Sequence, residues 1–160
     1  MFEQLGLIGC GLMGGSFALA LKKAGLVRQV VGYSLSPAST ESALQRGVID
    51  RVAPSAAGAA EGSDLVLLAV PVAATETTLA AIRPHITRQM LVMDVGSTKA
   101  DVTQAALRAL GDRCGAFVPA HPITGREVSG VEHADAELYR GSQLILTPTA
   151  HTLDAQLQQA

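Results

Sequence analysis

Apolar residues in this chain gather into short unbroken runs, "LGLIG", "QVVGY", "DLVLLAV", "MLVMDV", "GAFVPA" and "QLILTP", many of them β-branched. Runs that are apolar throughout, rather than at every second position, predict strands covered on both faces. Between most of them lie about ten or more residues of helical pattern. "LMGGSFALALKKAG" spaces Ala and Leu helically from Leu12 and stops at Gly25, a residue suited to a C-terminal cap. "STESALQRG" opens on Ser/Thr caps, carries Glu41 near its first turn and stops at Gly47. "TETTLAAIRPHI" and "STKADVTQAALRALG" repeat the pattern, and "APSAAGAAEG", Ala53 to Gly62, predicts a short helix in a variable connection.

Strands alternating with helices imply a mainly parallel sheet with helices on both sides. The expected fold is α/β, a doubly wound, Rossmann-type dinucleotide-binding domain over residues 1–160. With 160 residues, 48% of them hydrophobic, the chain can bury one real core. "HTLDAQLQQA", with Leu153 and Leu157 four apart, predicts the opening turns of a connecting helix near 151–160. That opening helix leads us to expect a fragment whose second domain is absent.

Charge narrows the partner. A formal net charge of -2, with 16% charged residues and no run of Lys or Arg, gives no footprint for nucleic acid or an anionic membrane, so a small molecule is expected. "MFEQLGLIGCGLMGG" lacks a basic leader region and its five glycines interrupt any apolar span, which excludes a signal peptide or membrane helix. Cys10 and Cys114 have no zinc-site spacing and are too few for a disulfide scaffold. Reduced thiols, a cytoplasmic location and no metal are the expectation.

"LGLIGCGLMGGS" places Gly9, Gly11 and Gly14 as G-x-G-x-x-G after a strand and at a helix start. The first glycine permits a tight turn, the second lets a pyrophosphate approach the backbone, and the third lets helix and strand pack closely. The helix N-terminus attracts the negative charge, so Leu12 and Met13 join the glycines as expected cofactor contacts. Cys10 reads as a small space-filler. The second strand, in "QVVGYSLSP", ends at Ser34, where an NAD site would carry an acid for the ribose hydroxyls. A serine tolerates a 2′-phosphate, and Ser36, Ser39 and Thr40 offer further hydroxyls, so NADP is favoured over NAD. The same hydroxyls also suit loop and helix-cap roles.

Ligands of an open α/β sheet lie beyond the carboxyl ends of its strands. Val70 and Pro71 stand at one such end, Asp94, Gly96, Ser97, Thr98 and Lys99 of "DVGSTKADV" at the next, and "AHPITG" follows, with Val70, Pro71 and Gly96 as further expected cofactor contacts. In "PAHPITGREVSG", Pro119 and Pro122 restrict the backbone around His121, an ionisable ring in a constrained turn. By itself such a histidine is either structural or a base. Lys99 either orients its loop, attracts an anionic substrate or is a solvated surface residue. Thr124, Gly125, Glu127 and Ser129 shape the turn after His121. His85 follows Pro84 at a helix end, and His133 and His151 lie in polar segments.

"LIGCGLMGGSFALALKKAG", "LLAVPV", "DVGSTKADV" and above all "HPITGREVSGVEHADAELYRGSQLILTP" resemble the N-terminal domain of prephenate and arogenate (cyclohexadienyl) dehydrogenases over nearly all of the chain. Ser34, in place of the acid common in NAD-using members, and the local sequence "ITGREV" depart from the usual pattern. The resemblance implies hydride transfer from a cyclohexadienol to NAD(P) with loss of carbon dioxide, in tyrosine biosynthesis. It implies His121 as the base for the ring hydroxyl and Ser97 as the hydroxyl's hydrogen-bond partner, which also helps to position the histidine. It also implies a C-terminal helical domain that makes the intact protein a homodimer and supplies an arginine for the substrate carboxylates. Lys99, Thr124 and Gly125 are the substrate candidates on this chain. By that reading residues 1–160 bind cofactor but turn over poorly or not at all alone.

Two other readings share the glycine loop. A β-hydroxyacid or 6-phosphogluconate-type dehydrogenase relies on a lysine in a later helical domain and leaves "HPITG" without a role. A non-catalytic nucleotide-binding regulator has no reason to pair Ser97 with His121.

Overall fold

The computed structural model describes residues 1–160. The chain runs β1 (Phe2–Ile8), α1 (Leu12–Lys23), β2 (Val27–Tyr33), α2 (Pro37–Gln45), β3 (Arg51–Val52), α3 (Ala56–Ala60), β4 (Leu65–Leu68), α4 (Thr75–Ile82), β5 (Leu91–Asp94) and α5 (Lys99–Leu110). It continues through β6 (Phe117–Val118), β7 (Ala120–Pro122), β8 (Leu144–Leu146) and α6 (Asp154–Gln159). Strands β1 to β6 form one parallel sheet in the order β3-β2-β1-β4-β5-β6. This is the doubly wound α/β order, whose direction reverses between β1 and β4.

The continuous apolar runs follow from this arrangement. Along β4, Leu65 and Leu67 pack on one side with Leu5, Leu7 and Ala18, while Val66 and Leu68 pack on the other with Leu79, Ile82, Val102 and Phe117. Neighbouring side chains of a strand point to opposite faces, so a strand with helices on both faces is apolar at every position. Ile8, Tyr33 and Leu68 stand level across β1, β2 and β4, and Asp94 of β5 is level with Leu68. The residues that follow this row open on one edge of the sheet.

Three expectations are corrected. "GAFVPA" is not one strand: the main-sheet strand ends at Val118, and after Pro119 the chain restarts as β7, so His121 lies in a strand rather than a turn. "QLILTP" does not join the parallel sheet but pairs antiparallel with β7 in a two-stranded ribbon. Proline cannot donate to a ladder, which accounts for the change of sheet at this point. Finally, α2 starts at Pro37 with Ser36 as its N-cap, three residues before the expected cap at Ser39, because proline suits the first helical position.

Candidate active site

The glycine loop is built as the spacing demands. Gly9 has φ +101°, and a Cβ there would stand 2.2 Å from the Ala69 carbonyl oxygen, across the point where strand order reverses. Gly14 is as tightly held, with the Gly9 oxygen 2.3 Å from the place of a Cβ. Gly11 differs: nothing lies within 4 Å of its Cβ position. Two of the three glycines therefore serve protein packing, and the second leaves open room beside the backbone, as an approaching pyrophosphate requires. Gly11 is the N-cap of α1 and has no side chain to cap the helix, so the N–H groups of Leu12 and Met13 remain as donors for an anion. Burial pushes the Cys10 thiol up, so it adds no negative charge beside them.

Beyond β1, β2 and β4 lies a cavity of about 560 Å³ whose lining includes Gly9, Ser34, Leu35, Val70, Pro71 and Thr78. No Lys, Arg, Asp or Glu lines it. Ser34 closes one wall, and its hydroxyl accepts the Cys10 N–H at 2.8 Å. Ser36 is exposed, and its hydroxyl caps α2 by accepting the Ser39 N–H at 3.4 Å. Thr40 donates to the Pro37 carbonyl and is buried, so it is a helix residue with no free hydroxyl proton for a phosphate.

The loops after β4 and β5 meet, since Val72 lies 3.7 Å from the Cβ position of Gly96. Ser97 is exposed in the β5–α5 loop, and Thr98 precedes the first turn of α5. His121 is half-buried in β7; its Nδ1 is buried without any hydrogen-bond partner, which leaves Nε2 as the nitrogen open to a ligand. Thr124 donates to the Leu138 carbonyl at 3.0 Å and so pins its own loop, while Gly125 is exposed with nothing around its Cβ position.

Lys99 is neither free nor solvated. Its ammonium pairs with Asp94 Oδ2 and donates to the Ala120 carbonyl at 2.7 Å, with 16% of the side chain exposed. Burial holds its pKa below the ordinary lysine value, and the Asp94 carboxylate opposes that shift. Asp94, expected only as one of the residues at this strand end, has a definite place here. Its Oδ1 accepts the Ala120 N–H at 3.1 Å and its Oδ2 the Gly96 N–H at 2.8 Å. A carboxylate in an otherwise apolar run, at the end of a strand and five residues before a lysine, was the signal available.

The family described as "Prephenate dehydrogenase, nucleotide-binding domain" matches residues 17–160. The chain is 37% identical over 153 residues to the prephenate dehydrogenase of Bacillus subtilis (strain 168), covering 95% of this chain and 41% of that protein. The crystal structure of prephenate dehydrogenase from A. aeolicus in complex with hydroxyphenyl propionate and NAD+ superimposes with a TM-score of 0.89 at 35% identity, over 99% of this chain and 55% of that one. The arogenate dehydrogenase of Synechocystis follows with a TM-score of 0.86 at 26% identity, over 98% of this chain and 54% of that one. The chain thus spans about half the length of these relatives.

Proposed function

Because the chain belongs to the family of prephenate dehydrogenase nucleotide-binding domains, we propose that it is the cofactor-binding half of an enzyme that oxidises and decarboxylates prephenate or arogenate, in tyrosine biosynthesis. The observation that carries this reading is His121: an imidazole with one ring nitrogen buried and unpartnered and the other open, on the stretch that leaves the carboxyl edge of the sheet. The rival dehydrogenase and regulator readings assign that ring nothing to do.

The glycine loop fits a dinucleotide. Gly11 leaves the backbone clear, α1 presents N–H donors for a pyrophosphate, and the cavity between Ser34 and Pro71 accepts the uncharged parts. When bound, the nicotinamide supplies the hydride acceptor. The chain's own work is to orient the cyclohexadienol ring and take one proton. His121 Nε2 accepts the proton of the C4 hydroxyl as the hydride leaves C4. Carbon dioxide departs from C1, and its bonding electrons complete the aromatic ring. In this reading Ser97, at the mouth of the β5–α5 loop, hydrogen-bonds the same hydroxyl once substrate is present. Thr124 and Gly125 line the turn on the substrate side.

Cofactor choice is part of the same reading. Ser34 carries no charge to repel a 2′-phosphate, so NADP is admitted and remains favoured over NAD. The cavity supplies no cation to clamp that phosphate, so the preference is small. The enzyme is cytoplasmic, as its two free buried cysteines suit, and works as a homodimer completed by a second domain that brings the ligands for the substrate carboxylates. No helix is long and apolar enough to cross a membrane.

The test is His121→Asn in the intact protein. Prephenate and arogenate oxidation should fall by at least about 100-fold with cofactor affinity unchanged. Full turnover in that variant would sink the reading.

A further inference from the structure

This inference rests on His121 as the base. We propose that Asp94 and Lys99 are positioning residues: together they hold both backbone groups of Ala120 and so aim the His121 ring at the substrate hydroxyl.

The need for such a device follows from what His121 lacks. A catalytic histidine is commonly oriented by a carboxylate or carbonyl on its second nitrogen, but here Nδ1 has no partner. The direction of the ring is therefore inherited from the backbone of β7. One edge of β7 is covered by β8, with Thr147 N–H donating to the Pro119 carbonyl and Ile123 N–H to the Gln143 carbonyl. In an antiparallel pair such bonds fall at every second residue, so Ala120 turns its N–H and C=O to the opposite edge. No strand lies there.

Side chains from the end of β5 take the missing strand's place. Asp94 Oδ1 accepts the Ala120 N–H at 3.1 Å, and Lys99 Nζ donates to the Ala120 carbonyl at 2.7 Å. The two side chains are ion-paired, with 4% of Asp94 and 16% of Lys99 exposed, so neither charge is left alone in the interior. Asp94 Oδ2 also accepts the Gly96 N–H at 2.8 Å, beside Ser97. One carboxylate thus fixes the backbone next to His121 and the backbone next to Ser97, the two groups proposed to meet the same hydroxyl.

The experiment is steady-state kinetics of the intact enzyme with prephenate, together with cofactor titration, for Lys99→Met, Asp94→Asn and the double variant. Misplacing a base by about an ångström lowers kcat by about 10- to 100-fold, and that loss is expected in each single variant. The KM for prephenate should stay within about threefold and cofactor affinity should not change. The double variant should lose no more than the worse single, because the pair acts as one unit. A raised KM with kcat preserved would overturn the proposal and make Lys99 a substrate ligand, and unchanged kinetics would overturn it too. If Asp94→Asn does not fold, Lys99→Met at the more exposed half of the pair decides. His121→Asn run in parallel separates the two claims. Turnover retained there removes the base itself, whereas its loss alongside unaffected Lys99→Met kinetics removes only the positioning role.

Discussion

The hydroxyl of Ser34 accepts the backbone N–H of Cys10 at 2.8 Å, joining the tip of β2 to the middle of the glycine loop. The residue proposed to meet the cofactor ribose is therefore also a strut of the glycine loop. Its oxygen already accepts one hydrogen bond, which leaves its proton and one lone pair to offer a ligand.

Replacing Ser34 should separate these two roles. In Ser34→Asp one carboxylate oxygen can keep the Cys10 N–H while the other meets the ribose. A carboxylate there repels a 2′-phosphate and accepts ribose hydroxyls, so the NADP dissociation constant should rise at least about tenfold relative to that of NAD. Fluorescence titration with both cofactors reads the ratio. Equal loss for both would mean that Ser34 acts on the loop alone.

The glycine loop makes a second, opposed pair of expectations. Gly9→Ala places a methyl 2.2 Å from the Ala69 oxygen at a φ of +101°, and should destabilise the fold by about 1–3 kcal/mol. Gly11→Ala meets no atom within 4 Å. Its stability should stay within about 0.5 kcal/mol of the parent, while its methyl crowds the approach of a pyrophosphate and weakens cofactor binding by about tenfold. Urea denaturation and cofactor titration on the two variants check both halves. A destabilised Gly11→Ala would contradict the open space seen there.

Most of the architecture was legible because it rests on local patterns. Fully apolar runs marked the double-sided strands, and glycines marked the helix ends and the loop. What was missed depends on contacts between distant segments. Phe117 and Ala120 look like one strand until Pro119 interrupts the ladder, and nothing local in "QLIL" says that its partner is β7 rather than β6. The two-residue β3 is too short to show any period. Asp94 stood out as a strand-end residue but without a role, because its meaning lies in the Ala120 backbone, 26 residues on. Lys99 could be read as orienting or substrate-binding until both its partners were seen. His121 was visible through the two prolines beside it, but its unpartnered Nδ1 was not.

Tyr139 ties the long segment after His121 to α1. Its hydroxyl donates to the Met13 carbonyl at 3.0 Å, and its ring meets Phe17 edge to face at 5.9 Å. Burial pushes the phenol pKa well above its ordinary value, so it stays a neutral donor throughout the working range. Tyr139→Phe keeps the ring contact and removes the donor, which should cost about 1 kcal/mol in thermal or urea unfolding. A neutral result would mean that the Met13 carbonyl finds another donor when the phenol is gone.

The same segment should loosen from α1 in acid before the sheet does. Asp135 accepts the Glu137 N–H and pairs with Arg126, and its own N–H donates to Ser16 Oγ of α1 at 3.0 Å. Glu137 pairs with Lys23 of α1 and with Arg140. The Glu137 N–H first, and Arg126 after it, hold the Asp135 carboxyl below its ordinary 3.8. Lys23 first, and then Arg140, hold Glu137 below its ordinary 4.5. A carboxyl lowered in the folded state contributes stability that is present above its unfolded value and lost as pH falls through the folded one. Docking of this segment is therefore complete above about pH 4.5 and weakens progressively below it. The groups are half-buried or exposed, so the effect is a local loosening and not global unfolding. Amide exchange followed by NMR should show Ala134 to Leu138 losing protection as pH falls through this range while β1 and β4 keep theirs. Added salt at neutral pH should produce a weaker version of the same change. Simultaneous loss of protection in the segment and in β1 would show instead that it is held by packing around Val131 and Leu138, both of them buried, and not by its ion pairs.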